Sequence, residues 1–236
     1  MADEDAKAAL KKQAAVTAVE RVRSGMVLGL GTGSTTAFAV ERIGEMWQAG
    51  ELEDVVGIPT SERTAEQARS YGLPLGDLKD HPRVDLAIDG ADEVDPNLDL
   101  IKGLGGALLR EKRVERAADT FVVVIDDGKL VDKLGTKGPL PVEVGRDAWQ
   151  GEAAWLATLG CDPVLRGGAA DPFVSDNGNY IVDCRFAAGI EDAHALAASL
   201  DERPGVMAHG LFLDMANAVI VARADGIQVL ARQPRL

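Results

Sequence analysis

Four short apolar runs, at residues 26–30, 55–58, 84–88 and 121–125, alternate with stretches whose apolar residues recur at helical spacing. A continuous apolar run of four or five residues suits a strand buried on both faces, and parallel strands need a crossover between them. The alternation predicts a parallel sheet covered on both faces, an α/β fold. Helical stretches fall at 4–23, from Ser34 to about Trp47, near 62–71 and near 107–118. In the first, Ala8, Ala15, Val19 and Val22 share an apolar face, with Val16 at its edge. Ser34 is placed to cap the second.

The pattern changes after about residue 130. PLPVEV, a helix near 148–159, CDPVLR, NYIVDCRF, a helix near 191–201 and GVMAHGLF follow in turn. The order β-α-β-β-α-β predicts a ferredoxin-like split unit. AVIVA and GIQVLA, separated by a turn at Asp225-Gly226, read as two strands returning to the first sheet. The smaller α+β domain, 131–207, is then an insertion into a sheet domain made of 1–130 plus 208–236.

A net charge of −13 over 236 residues repels phosphate backbones, so nucleic acid is not an expected partner. No apolar run approaches the roughly 20 residues that cross a bilayer, and the acidic, polar N-terminus does not read as a signal or transit peptide. Cys161 and Cys184 form no CxxC pair, which points to the cytoplasm rather than to a disulfide framework. Against such a negative field, an anionic small molecule could be held only where lysines, glycines and hydroxyls are concentrated.

Three segments have that character. The first is Gly29-Leu30-Gly31-Thr32-Gly33-Ser34-Thr35-Thr36, where a strand passes into a helix. Glycine-exposed N–H groups at a helix start, with hydroxyls added, make an anion site. A dinucleotide fingerprint fails, because its third glycine falls on Ser34 or Thr36, and no Gly-Lys-Ser/Thr follows for a Walker loop. The second is Asp89-Gly90-Ala91-Asp92-Glu93, at the carboxyl end of a strand, where open α/β sheets bind ligands. Alone it reads as a turn with a helix cap ahead of a cation site. The third is Lys102-Gly103-Leu104-Gly105-Gly106 followed by Glu111. Amid Arg110, Lys112 and Glu115, Glu111 alone reads as a solvated helix-face carboxylate.

Together they offer an anion cradle, carboxylates and a lysine. Moving a carbonyl between neighbouring sugar carbons needs a base that removes and returns a proton. It also needs donors where an enediolate oxygen gathers charge. Neither a metal nor another cofactor is required, and His81, His194 and His209 lack ligand spacing, reading as surface or packing residues.

GxGTGST, DGADE, IKGxGGAxxREK and PLPVEV, in this order, resemble the ribose-5-phosphate isomerases of type A, and the resemblance extends to NGNYIVD and PGVMAHGLF. It implies a Rossmann-like parallel-sheet domain with the small α+β domain inserted, a sugar phosphate as substrate, no cofactor, and a homodimer or homotetramer. By that resemblance Thr32, Gly33, Ser34 and Thr35 contact substrate, and Asp89, Gly90, Ala91 and Asp92 hold sugar hydroxyls and assist ring opening. Lys102, Gly103, Leu104 and Gly105 form the lysine–glycine loop, and Glu111 shuttles the proton. Lys129 lies near the substrate and Lys11 reaches the phosphate. Leu104 and Leu109 depart from a frequent glycine and a frequent threonine. Amino-sugar phosphate deaminases and lactonases would be expected to use a catalytic histidine. A sugar-phosphate sensor would have no need of the Asp89, Asp92, Lys102 and Glu111 set.

Overall fold

A computed structural model describes residues 2–232, with side chains from residue 8 onward. Six strands form one sheet: β1 (Val27–Leu30), β2 (Val56–Pro59), β3 (Val84–Asp89), β6 (Ala118–Asp126), β12 (Ala218–Arg223) and β13 (Gly226–Ala231). Their order is β13-β12-β6-β3-β1-β2. All neighbours are parallel except the terminal hairpin, in which β13 runs back along β12 from the turn at Asp225. The two C-terminal strands thus rejoin the first sheet as expected.

Side-chain alternation gives the sheet two buried faces. On one, Leu28, Leu30, Leu86, Ile88, Val122, Val124, Ile220 and Ala222 pack against α1 (Ala2–Val19) and α2 (Thr36–Gln48). α1 contributes Ala14, Ala15, Ala18 and Val19, continued by Val22. Ala8, placed on this face by periodicity, is exposed instead. On the opposite face Val114, in α4 (Leu108–Arg116), lies over Gly29. α3 (Glu62–Ser70) follows β2 and is capped by Ser61, whose Oγ accepts from the Thr64 N–H.

The chain divides into two compact units. The first comprises Met1–Ala91, Arg113–Lys129 and Met215–Leu236; the second comprises Asp92–Lys112 and Leu130–Asp214. In the second, β7 (Leu140–Val144), β8 (Asp162–Leu165), β9 (Tyr180–Arg185) and β10 (Val206–His209) form an antiparallel sheet ordered β10-β7-β9-β8. With α5 (Trp149–Ala157) between β7 and β8 and α6 (Ala193–Asp201) between β9 and β10, this is the ferredoxin-like arrangement. Val142, Val144, Val182, Leu156 and Leu200 fill its core.

Three very short strands, β4 (Glu93–Val94), β5 (Leu100–Ile101) and β11 (Leu211–Phe212), add a second antiparallel sheet to this unit. Their pairing assigns Asp92–Lys112 to the second unit, where the sequence pattern had put that stretch with the large sheet. The Lys102 N–H donates to Gly210 O at 2.9 Å and tightens the same association.

Candidate active site

In the first unit, the chain leaving β1 turns at Gly31 against the end of β3. A Cβ at Gly31 would stand 2.2 Å from the Asp89 carboxyl, so only glycine allows this approach. Asp89 is 1% exposed. Its Oδ1 accepts from Thr32 N–H at 2.9 Å, Gly90 N–H at 2.6 Å and Thr36 Oγ1 at 3.3 Å. One carboxylate oxygen thereby fixes the path of the glycine loop.

Ser34 does not cap α2. Thr35 occupies that position and makes no side-chain capping bond. Ser34 Oγ instead accepts from Lys11 Nζ at 3.0 Å, and Lys11 lies 3.9 Å from Asp126 Oδ2 at the end of β6. A lysine of the first helix therefore reaches the glycine loop. Lys129 sits in a 3-10 turn, Asp127–Lys129, that follows β6.

Three hydroxyls missed by the motif reading reach the same loop from the segment after β2 and from α3. Thr32 Oγ1 meets Thr60 Oγ1 at 2.7 Å, Ser61 Oγ at 2.8 Å and Thr64 Oγ1 at 3.1 Å. Thr60 and Thr64 also donate to the carbonyls of Leu30 and Gly31. Their signal was the polar Thr60-Ser61 step directly after an apolar strand.

In the second unit, Asp92 Oδ2 accepts from the Leu104 N–H at 2.9 Å, which ties the acidic segment to the lysine–glycine loop. Lys102 is 2% exposed and Glu111 4%. Lys102 Nζ lies 3.6 Å from Glu111 Oε2 and 5.5 Å above the Phe212 ring. Glu111 is therefore not a solvated helix-face residue. Its charged neighbours misled the pattern because Lys112 and Glu115 are buried too. Lys112 donates to Leu211 O at 2.9 Å and sits over the same Phe212 ring.

The loop between Lys102 and α4 is tightly held. Gly106 has φ +86°, and a Cβ there would lie 2.6 Å from Phe173 Cζ. Glu143, fully buried on β7, accepts from Ser175 Oγ, Asn177 Nδ2 and Asn179 Nδ2. Asn177 in turn accepts from Arg110 Nε at 3.2 Å. Arg110 directly precedes Glu111, so this network reaches the start of α4.

His194 joins a group with Asp99 and Asp214, whose ligand atoms lie within 4.8 Å of one another. The spacing argument could not find it, because its members come from three separated segments. His194 Nε2 lies 3.6 Å from Asp99 Oδ2 and 3.9 Å from Asp214 Oδ2. His209 is buried against Lys112, a packing role.

The structure thus collects the sequence-derived residues into two groups. The first unit holds Thr32, Gly33, Ser34, Thr35, Asp89, Gly90, Ala91 and Lys11 around one loop, with Lys129 after β6. The second holds Asp92, Lys102, Gly103, Leu104, Gly105 and Glu111. Only Gly90 and Ala91 separate Asp89 from Asp92 in the chain.

A strand-end carboxylate behind a hydroxyl-rich loop and a buried lysine–glutamate pair are groups of the kind an α/β enzyme can use. A family model, ribose 5-phosphate isomerase A (phosphoriboisomerase A), matches residues 56–226. A probable chloroplastic ribose-5-phosphate isomerase 3 of Arabidopsis thaliana is 56% identical over 229 residues, covering 94% of this chain and 83% of that one. Ribose-5-phosphate isomerase A of a Synechococcus strain is 51% identical over 223 residues, covering 94% and 96%. Among solved structures, a D-ribose-5-phosphate isomerase in complex with phospho-erythronic acid superposes with TM-score 0.91 at 43% identity, covering 94% and 98%. The Plasmodium falciparum ribose 5-phosphate isomerase gives 0.92 at 39%, covering 96% and 99%. The chain belongs to the ribose 5-phosphate isomerase A family and is an isomerase.

Proposed function

We propose that the chain interconverts D-ribose 5-phosphate and D-ribulose 5-phosphate through an enediolate, with Glu111 as the proton-shuttling base. The observation that carries this reading is the buried pair of Lys102 and Glu111, 3.6 Å apart. In the forward direction Glu111 takes the C2 proton of the open-chain aldose and returns it to C1. The O2 hydroxyl gives up a proton and O1 gains one, so the atoms balance without an oxidant. Lys102 and loop N–H groups oppose the charge that gathers on the enediolate oxygens. Asp89 and Asp92 hold sugar hydroxyls and assist ring opening.

Thr32, Gly33, Ser34 and Thr35 bind substrate, with Lys11 directed to the phosphate through its bond to Ser34. Gly90, Ala91, Gly103, Leu104 and Gly105 supply backbone contacts, and Lys129 adds positive charge. The relative bound to phospho-erythronic acid supports a phosphorylated sugar acid as a ligand class for this chain. The reaction belongs to the non-oxidative pentose phosphate pathway.

No helix among the described residues is long and apolar enough to cross a membrane. Cys161 and Cys184 are free thiols, which suits a reducing compartment such as the cytoplasm.

The test is ketose formation from ribose 5-phosphate, measured with and without EDTA. Equal rates are expected in both arms. Absence of conversion would overturn the reaction. Loss with EDTA and return with a divalent ion would overturn the metal-free mechanism and draw attention to His194.

A further inference from the structure

We propose that Arg166 is a positioning residue for the isomerisation, aiming the Leu104 and Gly105 N–H groups of the Lys102–Gly106 loop. The inference rests on the function proposed above. Arg166 follows β8, sixty or more residues along the chain from that loop, and all three nitrogens of its guanidinium donate hydrogen bonds. Nε and Nη2 donate to the two oxygens of Asp183 on β9, at 2.9 and 2.5 Å. Nη1 donates to Gly103 O and to Leu104 O, each at 3.1 Å. The plane lies 5.6 Å from the Phe173 ring centroid, the same ring that a side chain at Gly106 would strike. Two carbonyls of consecutive residues are thus drawn to one nitrogen, and the other edge of the fork is anchored on the sheet.

The consequence follows from peptide geometry. In a planar trans peptide the C=O and the N–H point to opposite sides. Holding Gly103 O therefore turns the Leu104 N–H away from Arg166, and that N–H donates to Asp92 Oδ2. Holding Leu104 O turns the Gly105 N–H away in the same manner. Arg166 thus sets Asp92 and a loop donor at once without touching substrate. A lysine could not do this, because a point-like ammonium lacks the rigid fork that meets a carboxylate with one edge and two carbonyls with the other.

A purely structural salt bridge would alter stability and leave the ratios of kinetic constants alone. A positioning role predicts a different outcome for Arg166→Met, which keeps an apolar stem against Phe173. A misplacement of about 1 Å costs about 10²-fold in rate, so kcat should fall by about that factor while KM for ribose 5-phosphate changes by about threefold or less. The inhibition constant of phospho-erythronic acid, whose carboxylate carries charge as an enediolate does, should rise in step with the fall in kcat/KM. Arg166→Lys should fail to restore kcat. If Arg166→Met does not fold, Asp183→Asn, which keeps both side chains but slackens the fork, should show the same kcat-weighted loss in milder form. An inactive wild type would sink the proposed function itself. An active wild type with near-normal kcat and inhibitor affinity in the folded variant, or full rescue by lysine, would overturn the role of Arg166 alone.

Discussion

Replacing Glu111 by Gln removes one charge from a pair whose members are both almost wholly buried, with Nζ and Oε2 3.6 Å apart. Removing one partner of a buried ion pair costs about 3–5 kcal/mol. The Phe212 face, 5.5 Å from Lys102 Nζ, is the same in both proteins and leaves that difference unchanged. A loss of about 3–5 kcal/mol, at about 2–4 °C per kcal/mol for a chain of this size, predicts a melting temperature lower by about 6–20 °C. Loss of a general base separately predicts a kcat reduced by about 10²–10⁴-fold, with KM little changed because the amide still fills the site. Glu111→Asp separates the two effects. It keeps the charge and much of the stability but withdraws the carboxylate by one methylene, so the rate still falls. Ketose formation gives kcat, calorimetry gives the melting temperature, and turnover in deuterated water reports the proton step. The wild type should wash deuterium into the substrate carbon, and the Gln variant should not do so at a comparable rate. Near-normal kcat for Glu111→Gln would refute the base assignment, move the search to Asp89 or Asp92, and leave Glu111 only as the partner of Lys102.

Gly31→Ala would place a methyl 2.2 Å from the Asp89 carboxyl, so Asp89 must move and its bond from Thr32 must lengthen. Overpacking of this kind costs about 1–3 kcal/mol, which should appear as a lower urea midpoint together with lost activity; an unchanged midpoint would show that the strand end yields freely. The Cys161 thiol is held below its usual range by a hydrogen bond from Cys184, whereas that same bond and then burial push Cys184 up. Iodoacetamide near neutral pH should therefore modify Cys161 first and spare Cys184 in the native chain, and early adducts on Cys184 in peptide mass spectra would contradict this.

The parts legible in the sequence were those with local period or local chemistry. The apolar runs of β1, β2, β3 and β6 and the β-α-β-β-α-β order of the second unit could be read because each element buries its own continuous face. The carboxylate at the end of β3 could be read because Asp89 follows such a run directly. What escaped reading depends on partners distant in the chain. β4, β5 and β11 are two residues each, too short for any period, and exist only through pairing with one another. Glu111 looked solvent-facing because charge density on a helix normally means water, and here other segments supply Lys102, which pairs with Glu111, and Phe212, which faces Lys102 and Lys112. Thr60 and Thr64 could not be joined to Thr32 without knowing that β1 and β2 are neighbours. The fork of Arg166 on two loop carbonyls has no sequence signature at all.

The pairing of β12 with β6 also sets a timetable for synthesis. On a ribosome, β6 emerges with one side paired to β3 and the other bare, and its partner is translated about ninety residues later. At roughly 5–20 residues per second this interval lasts about 5–20 s. Through it, Val122, Val124 and Ile125 line an open strand edge of the sort that recruits other chains. The intervening residues include most of the second unit, whose four-stranded sheet lies wholly between β6 and β12 and can gather while that edge waits. Its three-stranded sheet is also completed late, because β11 is translated only shortly before β12. A nascent chain released early would therefore carry a formed ferredoxin-like sheet beside an unfinished parallel one, a client suited to chaperones that shield bare β edges.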